Sequence, residues 1–227
     1  LSVTALVMLD ERVSLAQPLA GLAVFGLLAL WTGNSLTPEL LNAGLTFYLM
    51  LAIFHAVFPV WLQRRRGAKV VPWASQVFPP LSLVLVLIPI LRLAEVSFAV
   101  WPVVLLVDLL AIGLAVVTAS LLSVLAVLVL TLAATGALIF KIPATLTGLP
   151  TPFFLIGVFS VFFVAVGVWL ARKFKPEALA RGLAFDENFA LPGNLAAQLP
   201  VLSAVLPFLL LIMATLRLPL ANPSPVF

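Results

Sequence analysis

The stretch VWLQRRRGAKVVPWASQVFPPLS, Val60–Ser82, ends one apolar run in a burst of positive charge, turns within a few residues, and opens the next run with a glutamine and a proline pair. A looser copy follows further on. Val168-Trp169-Leu170-Ala171-Arg172-Lys173 repeats the exit, and Ala197-Gln198-Leu199-Pro200-Val201-Leu202-Ser203 repeats the re-entry. Charge confined to tight turns between long apolar runs is the pattern of membrane-spanning helices joined as hairpins.

Composition supports the same reading. Of 227 residues, 64% are hydrophobic and 9% charged, against about a quarter charged in a soluble domain. Several runs of roughly 20 apolar residues are long enough to cross about 30 Å of hydrocarbon at 1.5 Å per residue. The strands of a membrane barrel would alternate polar and apolar residues, and these runs do not. The net charge of +4 sits at helix ends, where orientation in the membrane uses it, so it is not read as a nucleic-acid footprint. There is no cysteine, which excludes disulfides, iron–sulfur clusters and thiol chemistry. A single histidine argues against a metal or haem centre. No cofactor is expected.

Leu1 to Leu9 is apolar but too short to span and reads as the tail of an earlier helix. The whole is expected to be one transmembrane domain over residues 1–227, a fragment of a longer protein. Its fold class is all-α, a polytopic bundle of about seven complete spans. The spans are expected over Ala16–Trp31, Leu45–Gln63 and Ser75–Leu93, two more between Glu95 and Lys141, then Phe153–Ala171 and Ala197–Leu216. The Glu95–Lys141 run must fold in two, because as one helix it would be about 67 Å long, twice the membrane thickness. Its turn is placed at Thr118 to Ser123. Pro143, Gly148, Pro150 and Pro152 are read as a loop, and Pro89 as a kink.

With alternating spans, one membrane face receives Arg12, Arg64, Arg65, Arg66, Lys69, Arg172, Lys173, Lys175 and Arg181, and the other receives Arg92, Lys141 and Arg217. The excess of basic residues on short loops puts the Arg64–Lys69 and Arg172–Arg181 segments in the cytoplasm. Gln17-Pro18, Gln76 with Pro79, and Gln198 with Pro200 all open outward-going helices. Two consecutive elements recurring in the same order favour duplication of a hairpin, and the even spacing makes it a parallel repeat.

The Phe47-Tyr48 entry, the segment PVWLQRRRGAKVVPWA, the Leu-Val-Asp run at Asp108 and the closing LRLPLANPSPVF resemble the large bacterial multi-pass membrane proteins of domain of unknown function 2339. The resemblance covers nearly the whole chain and rests on soft motifs, apolar pattern and arginine turns. It implies a longer protein of many hairpins in a bacterial inner membrane, with no established activity and no catalytic residue to carry over.

Two ionisable side chains fall inside apolar runs, His55 and Asp108. A charge at mid-bilayer costs about 2.5 to 3.5 kcal/mol or more, so such groups pair, line a cavity or stay neutral. Both lie roughly 12 to 15 Å from the cytoplasmic helix ends at 1.5 Å per residue. Either they form a proton relay or substrate site, or they make interhelical hydrogen bonds with a neutral Asp108. Trp31, Trp61, Trp73, Trp101 and Trp169 stand near helix ends as interfacial anchors. Small residues such as Gly113, Gly136 and Gly157 are expected to permit close packing. No catalytic, cofactor-binding or metal-binding residue is assigned. The expected partners are the lipid bilayer and other membrane helices of this chain or of other subunits. The leading expectation is a scaffold component of a membrane assembly. A secondary transporter with its site near Asp108 is the second reading, and a membrane-embedded transferase the third.

Overall fold

A computed structural model describes residues 16–66, 74–93, 95–118, 122–141, 150–173, 202, 205 and 207–215. Among these residues the regular structure is entirely helical. In chain order it comprises α1 (Ala16–Ser35), a 3-10 turn (Pro38–Leu40), α2 (Leu41–Arg66), α3 (Ala74–Arg92), α4 (Val100–Thr118), α5 (Leu122–Phe140) and α6 (Pro150–Lys173), with further helix over 207–215. Six segments are long and apolar enough to cross a membrane: Ala16–Ser35, Pro38–Leu62, Ser75–Arg92, Val100–Thr118, Ser123–Phe140 and Pro150–Leu170. Helices suit that solvent because they satisfy their own backbone polar groups. The chain divides into two compact units, Leu1–Thr118 and Ala119–Phe227.

The expected break between Thr118 and Ser123 is present, since α4 ends at Thr118 and α5 begins at Leu122. Four helix ends differ by three residues or more from the sequence reading, one of them the end of α2, which runs on from Gln63 to Arg66. α1 continues four residues past Trp31 to Ser35, because its last turn is held by partners on other helices. α2 begins at Leu41 rather than Leu45, behind a 3-10 turn that has Pro38 at its start and Glu39 in its first turn. Both features suit a helix N-terminus, where proline loses nothing and a carboxylate meets the positive end of the dipole. For the same reason Pro150 and Pro152 belong to the first turn of α6 and not to a loop. The expected helix ending near Leu9, the Arg181 segment and Ser203 lie outside the described residues.

In the first unit α3 packs against α1, α2 and α4, and α4 also packs against α2. Each helix turns a periodic stripe inward. On α2 the stripe is Leu41, Leu45, Tyr48, Ala52, His55, Ala56 and Val60, a spacing of three and four that follows the helical turn. Phe47, Met50, Phe54, Val57 and Trp61 on the same helix are exposed. α1 reverses the soluble rule, since Gln17, Pro18, Gly21, Phe25 and Thr32 are buried while Leu19, Leu22, Leu27 and Leu30 face outward. In lipid an outward leucine costs nothing, and polar or small side chains belong at helix contacts.

Pro59 sits inside α2, and Pro79, Pro80 and Pro89 sit inside α3. Each removes one N–H from its ladder, yet both helices run on through them. In the second unit α5 packs on α6. Ile139, Ile156, Leu210 and Ala214 form a buried apolar cluster there, with Leu132, Phe153 and Leu211 against it. Gly136 lets Leu210 approach, because a Cβ at Gly136 would lie 3.3 Å from Leu210 Cδ2.

Candidate functional site

Polar side chains of the first unit join helices at two levels. At the first, α1 contributes Gln17 one residue inside its start, and α2 contributes His55 about three turns before its end. The Gln17 side-chain amide nitrogen lies 3.1 Å from His55 Nδ1. An amide nitrogen donates, so in this pair Nδ1 is the acceptor. Aromatic rings surround the imidazole. Phe78 of α3 lies 4.9 Å from it, Phe54 meets it edge-on at 5.2 Å, and Phe25 meets it edge-on at 6.2 Å, all between ring centroids. Gly21 closes the fourth side, and a Cβ there would fall 2.7 Å from His55 Nδ1 and 2.6 Å from Phe78 Cζ. His55 therefore sits where α1, α2 and α3 meet, 6% exposed. The sequence marked the histidine as polar and membrane-buried. It read Gln17 only as a helix opener.

At the second level the Thr32 and Tyr48 hydroxyls share a hydrogen bond between α1 and α2. Ser82 Oγ of α3 donates to the Tyr48 carbonyl at 3.2 Å, and Arg92 Nη1 donates to the Thr32 carbonyl at 2.7 Å. Thr32 is one of the last four residues of α1, whose carbonyls have no intrahelical donor. Arg92 fills that need with a cation at the negative end of the dipole. Tyr48 is fully buried. Gly44, one turn before it, leaves room for the phenol, since a Cβ there would meet Tyr48 Oη at 3.2 Å.

Asp108 is fully buried on the inward stripe of α4 with Val104, Val107, Ala111 and Ala115, and it takes part in an interaction of its own. The contacts around His55 come from α1, α2 and α3, whereas Asp108 belongs to α4. In the second unit Thr135 and Ser160 bond back into their own helices. Thr135 Oγ1 donates to the Thr131 carbonyl at 3.0 Å, and Ser160 Oγ donates to that of Ile156. Such back-bonding satisfies a hydroxyl in lipid without a neighbouring helix. Ser123 Oγ is buried with no hydrogen-bond partner among the described residues. Lys141, just past α5, has its pKa lowered by partial burial.

Among the described residues no group of three His, Asp or Glu side chains is placed to hold a metal ion. Chemically the first unit offers one imidazole with its amide partner, one buried carboxyl group, and a hydroxyl–phenol–guanidinium set that ties helix ends together. The two basic exits match in detail: Arg65 Cζ lies 5.1 Å above the Trp61 ring and Lys173 Nζ 4.8 Å above that of Trp169. Each pair is spaced i, i+4 along its helix. Compared with protein-family models, with curated proteins and with solved structures, the chain finds no match.

Proposed function

We propose that this chain is a multi-pass component of a bacterial inner membrane, a member of the domain of unknown function 2339 proteins, and that it acts as a scaffold within a larger helical assembly. The observation that carries the reading is a set of four side-chain hydrogen bonds between helices of the first unit. Gln17 with His55, Thr32 with Tyr48, Ser82 with the Tyr48 carbonyl and Arg92 with the Thr32 carbonyl each join one helix to another. Groups used in this way fix helix register and are unavailable to a substrate. Transport sites, by contrast, are commonly built from helices unwound at mid-depth. α3 continues through Pro89 to Arg92.

In the same proposal the Arg64–Lys69 and Arg172–Arg181 segments lie in the cytoplasm and the hairpins arose by duplication. The matched Trp61–Arg65 and Trp169–Lys173 exits support the duplication. So does burial in the register that aligns those tryptophans, where Tyr48 corresponds to Ile156 and His55 to Phe163, all inward-facing.

Asp108 keeps transport as the second reading, because a fully buried carboxyl group in a span is the kind of residue that carries protons or cations. Asp108→Asn in the full chain separates the two. As a scaffold, the variant keeps its melting temperature and the assembly keeps its composition. Loss of proton or cation flux into reconstituted vesicles at an unchanged melting temperature would replace the scaffold with a transporter.

A further inference from the structure

Near the arginine-rich end of α2 a groove of about 470 Å³ opens between α2 and α4. Val57, Trp61 and Arg64 of α2 and Leu110, Gly113 and Val117 of α4 line it. Its length follows from its lining. Val57 to Arg64 covers about 10 Å of helix at 1.5 Å per residue. Gly113 makes the concavity, because a Cβ at that position would meet nothing within 4 Å and a larger side chain would fill the space. Trp61 and Arg64 are exposed beside it.

The lining is apolar except for the cationic Arg64. Between Glu39 and Glu95 the sequence has no acidic residue, so Arg64, Arg65, Arg66 and Lys69 have no carboxylate nearby in the chain to offset them. Trp61 stacks under Arg65, as expected of an aromatic side chain at the headgroup level. An acyl chain fits the apolar part. A phosphodiester fits a guanidinium, which binds its two oxygens side by side. A zwitterionic lipid offers the same phosphate but brings its own cation beside it, whereas an anionic lipid keeps a net negative charge that the basic cluster around Arg64 favours.

We propose that the groove between α2 and α4 is a binding site for one anionic phospholipid, with an acyl chain lying over Gly113 and the headgroup phosphate on Arg64. The site rests on the chain being membrane-embedded and is independent of whether it scaffolds or transports.

The test uses the full chain in mild detergent, titrated with phosphatidylglycerol or phosphatidylcholine, with bound lipid counted by native mass spectrometry. The unchanged chain is expected to retain one phosphatidylglycerol in preference to phosphatidylcholine. Arg64→Gln should lower that preference about fivefold, the factor one basic side chain carries at an anionic surface. Gly113→Leu fills the groove and should abolish retention of either lipid. Gly26→Leu, on an exposed part of α1 where a Cβ also meets nothing within 4 Å, should leave retention as it was. Equal retention by Gly113→Leu and the unchanged chain would reduce the effect to diffuse attraction by the arginine cluster and overturn the site. A lipid-free dimer that Gly113→Leu splits into monomers would assign the groove to a second copy and overturn it as well. Should Gly113→Leu fail to fold, Arg64→Gln still decides, because an unchanged preference removes the headgroup contact.

Discussion

The Gln17 side-chain amide donates to His55 Nδ1 at 3.1 Å across the contact between α1 and α2. The start of α1 meets α2 at His55 and the end of α1 meets it earlier, at Tyr48, so the two bonds pin helices that run in opposite chain senses. Removal of the first bond has a calculable consequence. Interhelical hydrogen bonds in membrane proteins average about 0.6 kcal/mol and reach about 1.7. Gln17→Leu is expected to lower stability within that range, as measured by thermal or denaturant unfolding in detergent. His55→Phe, which keeps a ring among Phe25, Phe54 and Phe78, should cost a similar amount. Because the two residues share one bond, the double variant should lose less than the sum of the single ones. Strict additivity would mean that the amide and the imidazole do not interact.

Gly21 permits that arrangement. Its Cβ would come within 2.6 Å of Phe78 Cζ and 2.7 Å of His55 Nδ1, so Gly21→Ala forces two ring side chains to move. Overpacking of this kind costs about 1 to 3 kcal/mol. Gly26→Ala, one and a half turns along, meets open space and should raise stability by about 0.5 to 1 kcal/mol, the gain of alanine over glycine inside a helix. Comparing the two by unfolding midpoint isolates the steric effect from helix propensity, which is the same in both.

The six membrane-length helices were legible in the sequence because length and apolarity suffice to define them, and the separation of α4 from α5 followed from arithmetic on a run too long for one helix. The inward faces were not legible. In α1 nearly every position is apolar, so no amphipathic stripe separates lipid from protein; the weak signal was the polar and small set Gln17, Gly21 and Thr32 on one face. Helix ends near Gly33 and Pro150 were misplaced for a related reason. Residues that usually break helices are acceptable where a distant side chain such as Arg92 completes the last turn, or where proline falls in the first. His55 could be singled out by chemistry, but its partners come from α1 and α3, 38 residues away in the case of Gln17, and no local pattern encodes such a distance.

Arg92 is expected to matter for the last turn of α1 more than for its charge alone. Arg92→Leu removes the donor from the Thr32 carbonyl and a cation from a helix C-terminus, for a combined loss of about 1 to 2 kcal/mol. Tyr48→Phe removes only the bond to the Thr32 hydroxyl and should cost about 0.6 kcal/mol. Hydrogen exchange at the amides of residues 32–35 should quicken in Arg92→Leu and stay near its original rate in a variant of an arginine remote from that turn, such as Arg65→Leu. Unchanged exchange in Arg92→Leu would mean that the cap does not hold the turn.

The orientation proposed for the membrane can be read directly, because the chain has no cysteine and each introduced one reports alone. The argument for sidedness is the excess of basic residues on the short loops around Arg65 and Arg181 over the face that carries Arg92, Lys141 and Arg217. Cysteine at 65 or 181 is therefore expected to resist an impermeant maleimide in intact cells and to react once the membrane is opened. Cysteine at 39 or 148 should react in intact cells. Glu39 is well suited to the comparison, since it is exposed in the 3-10 turn before α2, while Arg65 is exposed near the other end of the same helix. The two reporters thus stand at opposite ends of α2, and their labelling must be opposite if α2 crosses the bilayer. Labelling of 65 but not of 39 in intact cells would invert the orientation, and labelling of both would remove α2 from the set of spans.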